Sequence, residues 1–370
     1  MKKLLLFTFV LLTSISIAQT TVIDSIMSGG IYRNYRVYIP AAYTGTTARP
    51  LVFDLHGYTS SAVAEQAYSN FAPIADTANV IFVYPNGTLD GSSQPYWNAG
   101  FGTAIDDIGF ISNLIDTLKT QYNIDPEMIY SCGMSNGGYM SHTLACALNT
   151  KIAAIASVTG SMTVLQQATC SPGRPVPVMQ ISGNADGTVA YGGGGGSMGI
   201  DALVSYWVTN DGCNPTPVFS TMPNISTTDG CTAEHYVYNG GVDGSTVEKY
   251  KIIGGGHTWP GSPYIIGVTN QDFNASEKIW LFFRKYKLSQ LTSVSEVQSV
   301  DKINLFPNPS TDIVSIEGEN ISSVTMFDVN GKLVLESKQK QLDISGLVNG
   351  VYSVVVISNN NRSVKKLVKM

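Results

Sequence analysis

Charge is scarce in this chain. Asp, Glu, Lys and Arg make up 13% of its 370 residues against 44% hydrophobic residues, and the net charge is −5. With no basic cluster, the chain lacks the electrostatic footprint of a nucleic-acid binder. The apolar fraction is too high for a disordered chain, so the surface must rely on Ser, Thr, Asn and Gly. That balance suits an extracellular protein. Beyond the first twenty residues no segment is long and apolar enough to cross a bilayer. Cys/His clusters with metal-ligand spacing are missing, as are cofactor motifs, so neither a metal nor a cofactor is expected. Histidine is rare too, with four in the whole chain, which leaves few candidates for imidazole chemistry.

What is present begins with "MKKLLLFTFVLLTSISIAQT". Lys2 and Lys3 precede an apolar run, and Ser16-Ile17-Ala18 places small residues before Gln19. The pattern predicts a secretory signal over residues 1–18; the run is short for a membrane span and has no stop-transfer flank. Export makes disulfides the expected state of the five cysteines, with one thiol left over. Four cysteines allow three pairings. Cys146–Cys170 and Cys213–Cys231 are the expected pairs, because each closes a short loop between neighbouring elements. Cys132 is then the free thiol, a small hydrophobe on the strand before Ser135.

From about Ile31 to Tyr286, strand-like and helix-like segments alternate. "RVYIP", "PLVFDLHG", "VIFVYP", "MIYSCG", "IAAIASVTG", "PVPVMQIS" and "STVEKYKII" read as strands, and "AEHYVYN" is strand-like. "AVAEQAYSNFAPIADTA", "AIDDIGFISNLIDTLKTQY", "GGYMSHTLACAL", "GIDALVSYWVTN" and "NASEKIWLFFRKY" read as helices. Nearly continuous apolar strands between helices predict an α/β fold: a mostly parallel sheet covered by helices on both faces, over residues 19–286. Residues 287–302 read as a Ser/Val/Gln-rich linker. From residue 303 to 370 short alternating runs separated by Asn, Gly and Pro turns predict a small β-sandwich.

The chemistry sits in "CGMSNGG". Gly133-Met134-Ser135-Asn136-Gly137 fits G-x-S-x-G, placed between a strand and a helix. A tight strand-to-helix turn pushes its serine out at the carboxyl end of the sheet and leaves no room for neighbouring β-carbons. A serine hydroxyl needs a base. Of the four histidines, His142 lies in the helix after Ser135 and His235 in an ordinary strand. His56 follows a strand in "DLHGY", where a structural role is expected. His257, in the glycine-rich "GGGHTWPG", is the expected base. The orienting acid should fall between serine and histidine in chain order. Asp186 stands at a strand end in "GNADGTV", whereas Asp201 and Asp211 fall in or beyond a helix and Asp243 in a turn. Backbone donors for an oxyanion are expected from the amides of Tyr58 and Asn136. Asp106 and Asp107 resemble a carboxylate pair but read as a helix cap and a loop anchor.

Together "LHGYTSSA", "VYPNG", "YWNAG", "DDIGFI", "CGMSNGGYM", "GNADGTVAY" and "GGGHTWPG" resemble the polyhydroxybutyrate depolymerase and feruloyl esterase family of secreted α/β-hydrolases. The resemblance implies Ser135 as nucleophile, Asp186 as acid and His257 as base, with an oxyanion hole around Tyr58 and Asn136. It puts Trp97 and Asn98 near the cleft, and Trp259 follows the base; core packing is the competing reading of both tryptophans. Around the acid, Gly187 replaces the proline common in the family, and five consecutive glycines follow. The segments "LFPNPSTDIVSIEG", "VTMFDVNGKLV", "LDISGLVNGVYSVVV" and "KKLVK" resemble a type IX secretion sorting domain. That likeness implies type IX machinery as a partner and a released or surface-attached product.

No insertion long enough for a lid separates "IAAIASV" from "PVPVMQIS", so the site is expected to be open and to suit polymer-linked esters. The "GMSNGG" form resembles the feruloyl and acetylxylan branch, so feruloyl or acetyl esters of plant polysaccharide are the expected substrates. Poly(3-hydroxybutyrate) is the alternative. A serine peptidase and an inactive polysaccharide-binding hydrolase fold are the readings from other classes.

Overall fold

The computed structural model describes residues 19–370 except 103, 292–302, 319, 330–331 and 359–360. The expected signal segment and most of the expected linker lie outside the described residues. The chain divides into two compact units, Met1–Thr292 and Ser293–Met370.

The first unit is built on a ten-stranded sheet. Its strands are β1 (Thr20–Ser28), β2 (Ile31–Ile39), β3 (Arg49–Leu55), β4 (Ile81–Pro85), β7 (Ile124–Met134), β8 (Ala154–Val158), β9 (Val178–Gly183), β10 (Val218–Thr221), β11 (Thr232–Tyr238) and β12 (Val247–Ile253). A separate ribbon pairs β5 (Thr88–Leu89) with β6 (Pro95–Tyr96). Across the sheet the order is β1-β2-β4-β3-β7-β8-β9-β12-β11-β10. Pairing is parallel from β4 to β12 and antiparallel at both margins. The sheet is therefore mixed, with its parallel part confined to the middle. Neither outer strand was legible: β10 is exposed throughout and β1 carries only a weak apolar signal, as edge strands do.

Alternation along the strands separates two cores. Ile81 and Val83 face one way and Phe82 and Tyr84 the other, as do Leu51 and Phe53 against Val52. The helices are α1 (Ala62–Ser69), α2 (Ala72–Ala78), α3 (Asp107–Gln121), α4 (Asn136–Ala147), α5 (Val164–Thr169), α6 (Ile200–Asn210) and α7 (Ala275–Phe283). Helices α3, α4 and α6 bury Phe110, Met140, Leu144 and Trp207 on the first face. On the second, α1, α2 and α7 bury Ala62, Ile74, Ile279 and Phe283. The segment expected as one helix from "AVAEQAYS" onward is two, because Asn70 turns into the left-handed region and Pro73 starts a new helix. Five residues assigned to the linker also belong to this unit: Leu288–Leu291 form a 3₁₀ turn, and Leu291 is buried in the second core.

In the second unit, β13 (Asn304–Phe306), β14 (Ile313–Glu317) and β17 (Gln341–Asp343) make one antiparallel sheet. The other consists of β15 (Ile321–Phe327), β16 (Leu333–Ser337), β18 (Gly350–Ser358) and β19 (Asn361–Lys369). Both contribute to a core that includes Val314, Ile316, Val324, Val354 and Leu367.

Cys146 and Cys170 are bonded, tying the end of α4 to the end of α5. Cys213 and Cys231, expected as a second pair, are free and buried, like Cys132. They belong to cores on opposite faces of the sheet. The Cys213 thiol reaches the Ser245 carbonyl ahead of β12, whereas Cys231 packs near Gly254 beyond its far end. Seven residues of strand, roughly 20 Å, separate them, several times the Cα spacing a disulfide accepts. Thiol titration of the unfolded, unreduced protein should therefore find the three cysteines Cys132, Cys213 and Cys231. A single reactive thiol would instead mean that the second pair forms.

Candidate active site

Ser135 links β7 to α4 with φ +51° and ψ −118°, a conformation a non-glycine residue holds only where its surroundings enforce it. Its amide donates to the Val158 carbonyl at 2.8 Å, and its own carbonyl accepts from Tyr139 N–H at 3.0 Å. The enforcing contact comes from β3. A β-carbon on Gly137 would run into the Leu55 carbonyl, and one on Gly133 would lie 2.5 Å from the same oxygen. Both motif glycines are thus needed for close backbone approach.

Asp186 follows β9 with its carboxyl group almost wholly buried. Its Oδ1 accepts the amides of Thr188 and Val189 at 2.8 and 2.9 Å, which fixes the carboxylate plane. Its Oδ2 lies 2.7 Å from His257 Nδ1. A carboxylate can only accept, so Nδ1 is the ring nitrogen that donates and Nε2 is turned to other partners. His257 comes from the loop after β12 and is partly exposed. It lines, together with Ser135, an open cleft of about 620 Å³. Tyr58, Tyr68, Met134, Tyr264 and Ile266 give that cleft a mainly apolar wall. Ser135 and Tyr58 also border a second hollow of about 420 Å³, which includes Asp90, Asn136, Tyr139 and Ser197. The structure thus brings Ser135 and His257 to one cleft and pairs Asp186 with His257.

Gly57 and Tyr58 stand beside the serine: a β-carbon on Gly57 would be 3.5 Å from Ser135 Cβ. Four contacts pin this loop. Gly87 N–H donates to His56 Nε2 at 2.9 Å, while His56 Nδ1 lies 2.7 Å from the Gly57 carbonyl. Thr59 N–H donates to the Pro95 carbonyl at 2.8 Å, and the Tyr58 hydroxyl donates to Asp90 at 2.7 Å. Asn136 is the first residue of α4, where an amide has no intrahelical acceptor. Its side chain grips the Trp97 backbone twice, accepting from N–H at 2.6 Å and donating to the carbonyl at 3.1 Å.

The two tryptophans do not reach the cleft. Trp97 is fully buried, and its indole donates to the His56 carbonyl at 3.0 Å. Trp259 is equally buried and donates to Ser276 Oγ at 3.0 Å. The expectation of substrate contacts from them is corrected: both are core residues that brace the loops around the site. Asn98 anchors a loop as well, donating its amide to Asp107 and its side chain to the Ile105 carbonyl, each at 2.7 Å. Asp106 caps α3 through Gly109 N–H, and the buried Asp107 pairs with Arg33 at 2.5 Å. Sequence reasoning missed the apolar lining. The exposed run Tyr264-Ile265-Ile266, seven residues after His257, was a usable signal.

Burial lowers His56 and His142 to about 4 from the ordinary 6.5. Both imidazoles are neutral in the fold: Gly87 N–H points at His56, and Trp207 Nε1–H at His142 Nδ1. Stability from such groups is fully present above 6.5 and is lost as pH falls toward 4, because the unfolded chain binds protons that the folded one refuses. Relative to a His142→Gln variant, the wild type should lose on the order of 2 kcal/mol between pH 7.5 and 5, measured by urea unfolding. A constant gap between the two proteins over that range would contradict the neutral, buried assignment.

Residues 304–370 match the family model of the secretion system C-terminal sorting domain. A Piromyces equi protein named feruloyl esterase B is 30% identical over 237 residues, covering 61% of this chain and 42% of the relative. The chain thus spans less than half of that relative's length. A Paucimonas lemoignei protein named poly(3-hydroxyalkanoate) depolymerase C is 25% identical over 292 residues, covering 71% of this chain and 68% of the relative. A solved structure described as acetyl xylan esterase from Aspergillus awamori superposes with a TM-score of 0.54 at 15% identity, covering 71% of this chain and 99% of the other. At that identity the likeness is one of fold. The chain therefore resembles, in its first unit, feruloyl esterase and polyhydroxyalkanoate depolymerase relatives on an α/β-hydrolase fold, and its residues 304–370 belong to the secretion system C-terminal sorting domain family.

Proposed function

We propose that the first unit is a serine carboxylic-ester hydrolase acting on polymer-linked esters, foremost feruloyl or acetyl esters of plant polysaccharide. The observation that carries this reading is the 2.7 Å contact of Asp186 with His257 on the same cleft as the strained Ser135. In the first half-reaction Ser135 Oγ attacks the ester carbonyl while His257 Nε2 takes its proton. Asp186 stabilises the resulting imidazolium and holds the ring's tautomer. The amides of Tyr58 and Asn136 receive the oxyanion. His257 then protonates the departing alcohol, leaving an acyl-enzyme on Ser135. Water activated by the same imidazole releases the acid in the second half-reaction.

The relatives' names support ester chemistry, and the open cleft suits an ester carried on a chain. Poly(3-hydroxybutyrate) is the alternative substrate, favoured by the depolymerase relative. For the chain as a whole we propose removal of residues 1–18 on export and routing by residues 304–370 through type IX machinery, with release or attachment at the cell surface. Domain limits follow the same reading: a catalytic domain from residue 19 to about 291, a connecting segment, and the sorting domain.

The test offers the mature protein methyl ferulate and a polyhydroxybutyrate film side by side, with Ser135→Ala as the blank. Ferulate release should exceed the blank by at least about 10³-fold. Release of hydroxybutyrate alone would move the protein to the polyester class. Polymer binding without release of any acid, from acetylated xylan included, would indicate an inactive binding fold.

A further inference from the structure

Beneath the cleft lies a pair of buried carboxyl groups that the reaction above does not use. Glu65, on α1, lines the cleft with Ser135 and His257 yet is 2% exposed. Asp54, on β3 two residues before His56, is fully buried. The two interact electrostatically, and the Gly57 backbone lies close enough to the Glu65 carboxyl group to offset part of the cost of charging it. Its Oε1 has no partner among the described residues. No lysine or arginine forms an ion pair with either group among the described residues. The titratable groups that interact with the pair are Tyr84 from β4, Cys132 from β7 and Tyr68 from α1 itself, all of them uncharged when protonated, and His257, from the loop after β12, lines the same cleft as Glu65. Two carboxylates in such a place would repel each other in a dry, uncompensated setting.

The hydrogen bonds around Asp54 call for one more proton than the hydroxyl supplies. Ser69 Oγ lies 2.6 Å from Asp54 Oδ2 and 2.9 Å from the backbone carbonyl oxygen of Glu65. One hydroxyl proton serves only one of these acceptors. A proton on Asp54, donated to Ser69 Oγ, frees the hydroxyl proton for the Glu65 backbone carbonyl and satisfies both contacts at once, which leaves the neutrality of Glu65 to its own burial and its unpartnered Oε1. Burial raises Asp54 to about 7 and holds Glu65 well above the ordinary carboxyl range.

We infer that Glu65 is a positioning residue of this cleft that must be an uncharged acid: it holds Gly57 beside Ser135 and keeps negative charge away from the oxyanion. The inference rests on the ester-hydrolase reading above. Gly57 precedes Tyr58, whose amide is the proposed oxyanion donor, and sits against the serine. Ionised, Glu65 would place a like charge behind the groups that must receive a developing anion, in a site with little solvent to screen it.

The experiment measures kcat and KM for p-nitrophenyl acetate against pH in the wild type, Glu65→Gln and Glu65→Ala, with Ser135→Ala as the blank. Infrared difference spectra of wild type minus Glu65→Gln run alongside. Glu65→Gln keeps a neutral acceptor for Gly57 and should hold kcat within about threefold at neutral pH, while Glu65→Ala drops it roughly tenfold or more with KM little changed. On the alkaline side the wild type should lose kcat that Glu65→Gln retains. The infrared difference should contain a protonated-carboxyl band at neutral pH. A carboxylate band in its place, or alkaline limbs that coincide in the two proteins, overturns the proposal. Turnover that survives Ser135→Ala overturns the hydrolase reading instead, and with it the catalytic part of this proposal; the infrared arm still decides the proton on Glu65.

Discussion

The site depends on how closely β3 approaches the turn after β7. Leu55 and Gly133 are partners in the parallel ladder, and the Leu55 carbonyl occupies the space where side chains at 133 and 137 would otherwise stand. That single approach sets two things. It forces Ser135 into its positive-φ turn, and it brings the loop after β3 alongside the serine. Both belong to adjacent strands of one parallel pair, so the proposed nucleophile and the proposed oxyanion loop are placed by the same backbone hydrogen bonds. A slip in this register would separate them.

Around that pair, buried side chains fix loops that have no secondary structure of their own. His56 connects its own loop to the segment before β5, and Asn136 connects the start of α4 to the segment after β6. Trp97 closes the circuit through the His56 carbonyl. These contacts are short, largely dry and reciprocal, so the donors around Ser135 are oriented before any substrate arrives. On the other side of the serine, the two amides on Asp186 Oδ1 perform the same task for the imidazole.

Ser135, Asp186 and His257 were legible because their chemistry restricts the choice. A G-x-S-x-G turn between a strand and a helix, four histidines and one strand-end aspartate left little to decide. The alternating core was legible for the same reason that the edge strands were not: continuous burial writes a continuous apolar pattern, and half-exposure does not. The second cysteine pair failed because proximity along the chain carries no information about which face of a sheet a side chain occupies. Trp97 and Trp259 sit next to motif residues in sequence but are fully buried and do not line the cleft. Glu65 was invisible in "AVAEQAYS", where a glutamate reads as an ordinary solvated helix position. Its burial comes from the seating of α1 over the end of β3, which is a tertiary fact.

The electrostatics of the first unit follow from its shortage of charge. Among the described residues, neither lysine nor arginine lines the cleft or the hollow beside it, so apart from the imidazolium of His257 the oxyanion of the proposed reaction would be met by backbone dipoles. A stray full charge can cancel a dipole: at an effective dielectric of about 20, a like charge 4 Å away costs about 4 kcal/mol, as much as an oxyanion donor contributes. Burial disfavours charge on the surrounding groups. His56 is pushed down to about 4, Asp54 is pushed up to about 7, and Cys132 is held well above the thiol range. The exposed charge that does border the site, Asp90, is bound to the Tyr58 hydroxyl and open to solvent, where water screens it. A low-charge interior is thus a condition for the proposed oxyanion site, built from backbone dipoles at the end of a parallel sheet. It leaves the Asp186–His257 pair as the place where charge can develop and be accommodated.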